Sequence, residues 1–232
     1  MKILALETSA KSVSAAVVEN GAPLAYAYQC TGLTHSRTLM PMVSDMLKNA
    51  ELSLDDMDAI AVAAGPGSFT GLRIGVSAAK GLAWAKELPC IGVSTLEAMA
   101  QNLAHLNGLI VCAMDARRNQ VYNAVFEASN GTLTRLCPDR AVALSVVCDE
   151  LRDDTRPIYV LGDGGKLCFD ALRSAGIPCT LAPAALLHQN AVGVGLAAEH
   201  TAPVTAQELL PVYLRISQAE RERAARLEQS AK

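Results

Sequence analysis

The first thirty residues alternate between short apolar runs and polar turns, which is the pattern of an antiparallel sheet. One apolar run covers residues 2–8 and a second covers 13–19. Asn20 and Gly21 form a dipeptide that is typical of a two-residue hairpin turn, and a third run covers 24–30. The chain is therefore predicted to begin with three antiparallel strands.

The next segment has the spacing of an amphipathic helix over about 36–50. Its apolar residues recur every three or four positions, so they fall on one face. That face consists of Leu39, Met42, Val43, Met46, Leu47 and Ala50. Pro41 is expected in or near the first turn of this helix, because a proline further along removes a backbone hydrogen bond.

Five further elements are predicted to complete the first half. They are a buried strand over 58–64, a glycine-rich loop over 65–71, a helix to about 86, a strand at 90–93 and a helix to about 105. The order then begins again with strands at 109–115, 120–127, 133–137 and 158–161. A shift of 108 residues aligns 3–19 with 111–127 and places Glu7 opposite Asp115. We therefore predict a duplicated α/β unit, with a mixed sheet flanked by helices in each of two lobes.

The predicted domain bounds follow from this repeat. Residues 1–106 form the N-terminal lobe, residues 107–216 form the C-terminal lobe, and 217–232 form a charged helical tail. A helix at about 190–200 is expected to close the second half, and residues 209–214 are expected to be a short extended piece.

The helix predicted over 71–86 is rich in small residues, namely Gly71, Gly75, Ala78, Ala79 and Gly81. Each interior glycine costs a helix about 0.5–1 kcal/mol relative to alanine, so a close contact should offset that cost. Two partners remain open: the 36–50 helix of the same chain alone, or helices of another chain as well.

Composition excludes several classes of protein. Among 232 residues there are only five Tyr, three Phe and one Trp, and the net charge is −3, so the chain lacks the features of a stand-alone nucleic-acid binder. No apolar run has the length of a membrane span, and a carboxylate at Glu7 interrupts any signal-peptide core. The seven cysteines contain no C-x-x-C pair, which favours reduced thiols and a cytoplasmic location.

Two lobes of this kind normally hold a nucleotide between them, in loops whose glycines let backbone N–H groups approach a phosphate. Neither corresponding turn contains a glycine here. The residues concerned are Glu7, Thr8 and Ser9 in the first turn, and Asp115, Arg117 and Arg118 in the second. The two arginines could still attract an anion by charge, or both turns could simply be surface turns.

The glycine-rich loop joins a strand to a helix, where free N–H groups can bind an anion. It reads Gly65, Pro66, Gly67, Ser68, Phe69, Thr70 and Gly71. No lysine occupies the P-loop position, and a tight connection with no ligand is the alternative. The four histidines have no metal-ligand spacing, and the sequence has no G-x-S-x-G motif.

The stretch 65–75, together with 3–9 and the dipeptide His35-Ser36, closely resembles the TsaB (YeaZ) family. The resemblance covers essentially the whole chain and implies the actin-like, sugar-kinase and Hsp70 ATPase fold. It also implies a non-catalytic subunit that supports threonylcarbamoyl modification of the tRNA adenosine beside the anticodon. Such a subunit pairs with its catalytic paralogue TsaD, recruits the ATPase TsaE, and reaches tRNA only indirectly through the complex.

Within this resemblance, the sequence differs from the catalytic paralogue TsaD at positions that bind metal and phosphate there. Thr95 and Met99 stand where TsaD carries two metal-binding histidines, and Ala116 and Arg117 stand where it has paired glycines. We therefore expect no metal and no cofactor on the isolated chain, and leave open a nucleotide at a subunit interface. An independent phosphotransferase and a metallopeptidase-type glycoprotease are the alternative functions.

The resemblance and the small-residue helix together suggest a partner interface on the helices at 36–50 and 71–86. The same face is expected to form a homodimer when the partner is missing. The interface residues are His35, Leu39, Met40, Val43, Arg73, Val76, Ser77, Ala79 and Lys80.

Overall fold

The computed structural model describes residues 1–215, so the tail predicted at 217–232 lies outside the described residues. The first half builds a five-stranded sheet in the order β3-β2-β1-β4-β5. The antiparallel hairpins are β1–β2 and β2–β3, and β4 and β5 run parallel to β1. The strands are β1 (Lys2–Glu7), β2 (Val13–Glu19), β3 (Ala22–Gln29), β4 (Ala59–Gly65) and β5 (Cys90–Ser94).

The second half repeats this topology. Its main path, read from the other edge, is β8-β7-β6-β10-β11, and β9 pairs with β7. The strands are β6 (Gly108–Asp115), β7 (Gln120–Ser129), β8 (Thr132–Arg135), β9 (Arg140–Ala143), β10 (Ile158–Leu161) and β11 (Thr180–Leu181). The two sheets confirm the predicted duplicated α/β architecture.

Within residues 1–215, six α-helices cover these sheets. They are α1 (His35–Asn49), α2 (Phe69–Lys86), α3 (Thr95–Ala100), α4 (Leu144–Leu151), α5 (Gly165–Ser174) and α6 (Ala191–Ala198). The apolar stripe of α1 packs in one core with residues of β1, β2, β4 and α2. Pro41 lies in the second turn of α1, next to the first turn, on the exposed side of the helix.

The last helix of each half covers the sheet of the other half. Residues of α3 pack in the core formed by β6 and β7, while residues of α6 pack on β1, β2 and β4. The expectation that α6 closes the second half was wrong in this respect, because its apolar surface completes the first sheet. A Cβ atom on Gly193 would lie 2.1 Å from the backbone oxygen of Ala98, so the crossing of α6 over α3 requires this glycine.

The small residues of α2 serve a different contact from the one expected. A Cβ atom on Gly71 would lie 2.1 Å from the Thr8 backbone oxygen, and one on Gly75 would lie 2.4 Å from Thr8 Oγ1. These glycines therefore let α2 pack onto the turn between β1 and β2, and not onto another helix. Gly81 has no atom within 4 Å of its virtual Cβ and is exposed.

After α6 the chain returns along the first lobe. Val204 forms an antiparallel bridge with Cys90, and Leu209 is buried in the core beneath α1 and α2. Residues 209–213 belong to no helix or strand, so the short extended piece predicted at 209–214 pairs with no sheet as a strand. Within residues 1–215, no helix is both long enough and apolar enough to cross a membrane.

Candidate functional site

A cleft of about 860 Å³ opens between the two lobes. It is lined by residues 9–11 of the turn after β1, by the glycine-rich loop, by residues 114–118 of the turn after β6, and by Asp163 after β10. The fold thus brings together the two glycine-free turns and the glycine-rich loop that the sequence singled out. Equivalent strands of the two lobes supply the turns, which is why they face each other.

The glycine-rich loop is held down by backbone contacts with the turn after β1. Ser68 N donates to the Ser9 carbonyl oxygen at 2.7 Å, and a Cβ atom on Gly67 would lie 2.5 Å from that same oxygen. Ser68 also caps α2, because its Oγ accepts from Gly71 N at 3.4 Å. The peptide bond from Gly65 to Pro66 is cis. Phe69 and Thr70, at the N-terminus of α2, line the cleft.

A C-terminal strap, defined here as residues 209–215, crosses this loop. Val212 N donates to the Ala64 oxygen at 2.7 Å, and a Cβ atom on Gly65 would lie 2.2 Å from the Val212 oxygen. The Tyr213 ring stacks on Phe69 with the ring centres 4.2 Å apart. The sequence indicated a short extended piece over 209–214 but not what it contacts, because isolated apolar residues in an irregular segment give no periodic signal.

The strap also ties the cleft's two sides together. Arg73 Nε donates to the Tyr213 hydroxyl at 3.0 Å, and Arg215 Nη1 donates to the Ala116 oxygen at 2.5 Å. Arg215 therefore reaches from the first lobe to the turn after β6 in the second lobe.

Glu7 is sealed beneath the turn after β1 and has no exposed surface. Its Oε1 accepts from Ser9 N, while its Oε2 has no hydrogen-bond partner among residues 1–215. Burial disfavours the charged form of Glu7, the hydrogen bonds from Ser9 favour it, and the nearby Asp163 opposes it; together they raise the pKa of Glu7 to about 7, with burial as the largest cause. Thr8 Oγ1 donates to the Gly71 oxygen at 2.8 Å, so its hydroxyl is also committed to the fold.

The turn after β6 keeps a backbone shape that favours glycine but carries arginines. Arg117, Arg118 and Asn119 have φ angles of 63°, 56° and 54°. Left-handed residues of this kind are costly without glycine. Asp115 Oδ1 accepts from Arg117 N at 2.7 Å and stabilises the turn. A Cβ atom on Gly164 would lie 2.7 Å from Asp115 N, so the loop around Asp163 packs tightly against the turn.

The positions that the resemblance aligns with metal-binding histidines lie in the interior. Thr95 and Met99 are fully buried on α3. A Cβ atom on Gly162 would lie 3.1 Å from Met99 Cε, so the thioether packs against the loop after β10. Within residues 1–215, no group of three or more His, Cys, Asp or Glu side chains is arranged to hold a metal ion.

The nine expected interface residues divide by burial. Four of them are buried in the first lobe's core and offer a partner almost no surface on the folded chain, namely Leu39, Val43, Val76 and Ala79. The expectation that these four residues contact a partner was therefore wrong. Their side chains instead pack in the core that lies beneath α1 and α2. The residues that retain exposure are His35, Met40, Arg73, Ser77 and Lys80.

Three of these five residues border a shallow groove of about 560 Å³ between α1 and α2. Met40 and Ser77 line it, and Arg73 lines both this groove and the interlobe cleft. Trp84, the one tryptophan of the sequence, lies further along the same face of α2 and is 75% exposed. His35 Nε2 donates to the Ala10 oxygen at 2.7 Å and so steadies the turn after β1.

Comparison with known proteins shows which families this chain resembles. The family model TsaD, described as tRNA N6-adenosine threonylcarbamoyltransferase, matches residues 29–204. The tRNA threonylcarbamoyladenosine biosynthesis protein TsaB of Bacillus subtilis is 34% identical, over 95% of this chain and 96% of that protein. The protein of the same name from Escherichia coli is also 34% identical, over 88% and 94% of the two chains.

Solved structures agree with the sequence matches. YeaZ from Pseudomonas aeruginosa superposes with a TM-score of 0.75 at 29% identity and covers 92% of this chain and 99% of that one. The ethanolamine utilization protein EutJ of Carboxydothermus hydrogenoformans, at 14% identity and a TM-score of 0.50, shares the fold alone. The two-lobed actin-like fold is thereby confirmed. With relatives this similar over nearly its whole length, the chain belongs to the TsaB (YeaZ) family.

Proposed function

We propose that this chain is a non-catalytic subunit of the machinery that makes threonylcarbamoyladenosine in tRNA. It pairs with TsaD as a heterodimer and provides part of the surface that recruits TsaE. The names of its TsaB relatives support the pathway, and the match to the TsaD family model supports descent from the same fold as the catalytic subunit.

The observation that carries the non-catalytic role is the burial of the residues at the paralogue's reactive positions. Thr95 and Met99 are fully buried, and neither a hydroxyl nor a thioether is a good ligand for the metals that histidines hold. Glu7 has no exposed surface either. The chain has therefore kept the two-lobed shape while its former reactive positions have become part of the core.

The groove between α1 and α2 is the docking surface that this role needs. It combines apolar walls with the exposed thioether of Met40, which adapts well to another helix surface. We expect TsaD helices to pack there, and a second copy of this chain to occupy the same face when TsaD is absent.

Ser77→Arg tests the docking surface directly. Ser77 is exposed and lines the groove, so a long cation there should obstruct a partner helix without disturbing the core. We expect the Kd for TsaD, measured by titration calorimetry, to rise at least about tenfold, or by roughly 1.4 kcal/mol. The homodimer, followed by sedimentation, should weaken in parallel.

Ser174→Arg is the matched control, because Ser174 is an exposed residue of α5, the helix of the second lobe that corresponds to α2. It should leave both assemblies unchanged. Equal effects of the two variants, or none, would place the interface elsewhere.

Reconstitution tests the role itself. Modified adenosine should form in tRNA when TsaD, TsaE and the threonylcarbamoyl donor are mixed with this chain. Omitting the chain should reduce product formation to background, as measured by nucleoside mass spectrometry. Undiminished modification without it would contradict the proposal.

A further inference from the structure

The rim of the interlobe cleft concentrates positive charge on a chain that is acidic overall. Its lining includes five cationic side chains and only two carboxylates, those of Asp115 and Asp163, whereas the chain carries a net charge of −3. The cationic residues are Lys11, Arg73, Arg117, Arg118 and Arg215. Such segregation creates a local attraction for anions that the total charge conceals.

The five cations have different roles. Arg73 and Arg215 donate to the strap and to the turn after β6, as described above. Lys11, Arg117 and Arg118 are exposed at the mouth of the cleft. Among residues 1–215, no side chain forms a hydrogen bond or an ion pair with the charged ends of these three.

The backbone holds two of these cations at a cost. Arg117 and Arg118 are consecutive residues in the left-handed region, where each non-glycine residue costs on the order of 1 kcal/mol or more. Strained residues of this kind are concentrated at ligand sites, which favours a use for the two arginine side chains. A guanidinium matches phosphate oxygens in a two-pronged geometry, which suits a phosphate ligand.

The floor of the cleft is unsuited to a chelated small phosphate. Asp163 lies there, and one of its carboxyl oxygens has no hydrogen-bond partner among residues 1–215. Glu7 lies beneath Ser9, and one of its carboxyl oxygens also has no partner among these residues. Neither turn has glycines through which backbone N–H groups could surround a phosphate. The favourable charge is therefore at the rim, where a ligand with several spaced phosphates can lie across it.

We propose that the rim formed by Lys11, Arg117 and Arg118 binds the phosphodiester backbone of RNA. That the RNA is the tRNA under modification rests on the proposed function. The rim adds a direct contact to the indirect one that the family resemblance implied, and it supplies affinity without reading bases. Three neutralised phosphates correspond to a slope of about −2 to −3 in log K against log salt.

The test uses a tRNA transcript and filter binding at salt concentrations from 50 to 200 mM, with the whole chain alone and with its TsaD complex. Arg117→Gln combined with Arg118→Gln should weaken RNA binding about five- to tenfold at the lowest salt. It should also make the salt slope shallower by about 1.5. Lys11→Gln should add a smaller loss of the same kind.

Arg152→Gln combined with Arg173→Gln is the matched control, since it removes the same charge from exposed positions of the second lobe outside the cleft lining. Unchanged binding in the rim variant, equal losses in the two variants, or no RNA binding by either preparation would overturn the proposal. Magnesium-ATP is also added as a competitor at the same phosphate concentration as the RNA. If it displaces the RNA, the rim binds a small nucleotide instead, and the proposal is contradicted.

Failure of this inference and failure of the proposed function are separable. If the rim variant still binds TsaD normally while RNA binding is unaffected, only the RNA contact is refuted. If the unaltered chain does not bind TsaD, the proposed function fails, whereas the RNA result for the chain alone still decides the present proposal.

Discussion

Gly71→Ala is expected to lower the free energy of unfolding by about 3 kcal/mol, although alanine is the better helix former. The added methyl would lie 2.1 Å from the backbone oxygen of Thr8, far inside van der Waals contact. A backbone atom cannot move aside as the end of a flexible side chain can. Either α2 or the turn after β1 must therefore shift, and overpacking of this kind costs about 1–3 kcal/mol or more. Urea unfolding followed by circular dichroism measures the change.

Gly81→Ala is the control in the same helix. Gly81 is exposed, and its virtual Cβ has no neighbour within 4 Å, so only helix propensity changes. This variant should be more stable by about 0.5–1 kcal/mol. If both variants were stabilised alike, the close approach of α2 to the turn after β1 would be contradicted.

The same helix shows where sequence reasoning succeeded and where it stopped. The cost of its interior glycines correctly indicated a close contact, because that cost is a local property. The partner could not be identified, because the sequence does not specify which surface approaches the small face. Thr8 in the turn after β1 is 63 residues from Gly71 in the chain, and the pairing of β1 with β4 brings that turn beneath α2.

The order of strands that opens each sheet could also be predicted from local features of the sequence. Buried parallel strands are continuous apolar runs, and Asn-Gly turns fix the hairpins, so the three-strand opening of each half could be predicted. The short strand β9 and helix α4 were not predicted. The packing of α3 and α6 on the sheet of the opposite lobe was also not predicted. The apolar residues of a helix indicate that it is buried but do not indicate which sheet it covers.

At the cleft, the sequence identified both turns but not their backbone. The absence of glycine led to the expectation of crowded or simple surface turns. The structure instead shows Arg117 and Arg118 in a conformation that favours glycine. Residue type and local conformation disagree here, and such disagreements are concentrated at functional sites. No pattern rule predicts a strained conformation for a residue that normally avoids it.

Glu7→Gln is expected to stabilise the protein by about 3 kcal/mol at pH 8. In the folded chain burial raises the pKa of Glu7 from 4.5 to about 7, whereas in the unfolded chain the carboxyl titrates near its ordinary value. Between these two pH values the folded state binds more protons than the unfolded state. Stability therefore falls as pH rises from about 4.5 to about 7 and then stays at its lower level. Glutamine keeps an acceptor for Ser9 N and removes the charge.

Unfolding free energies of the two proteins between pH 4 and 9 provide the test, because their difference isolates Glu7 from other titrating groups. Burial raises the pKa of Asp163, the charged neighbour, while Lys11 lowers it, so the contribution of Asp163 must be separated. Asp163→Asn, alone and combined with Glu7→Gln, does so through a double-mutant cycle. A difference between the unaltered chain and Glu7→Gln that does not vary with pH would mean that Glu7 keeps its charge in the fold. The carboxyl would then have a cationic or hydrogen-bonding partner on Oε2, where residues 1–215 provide no hydrogen bond.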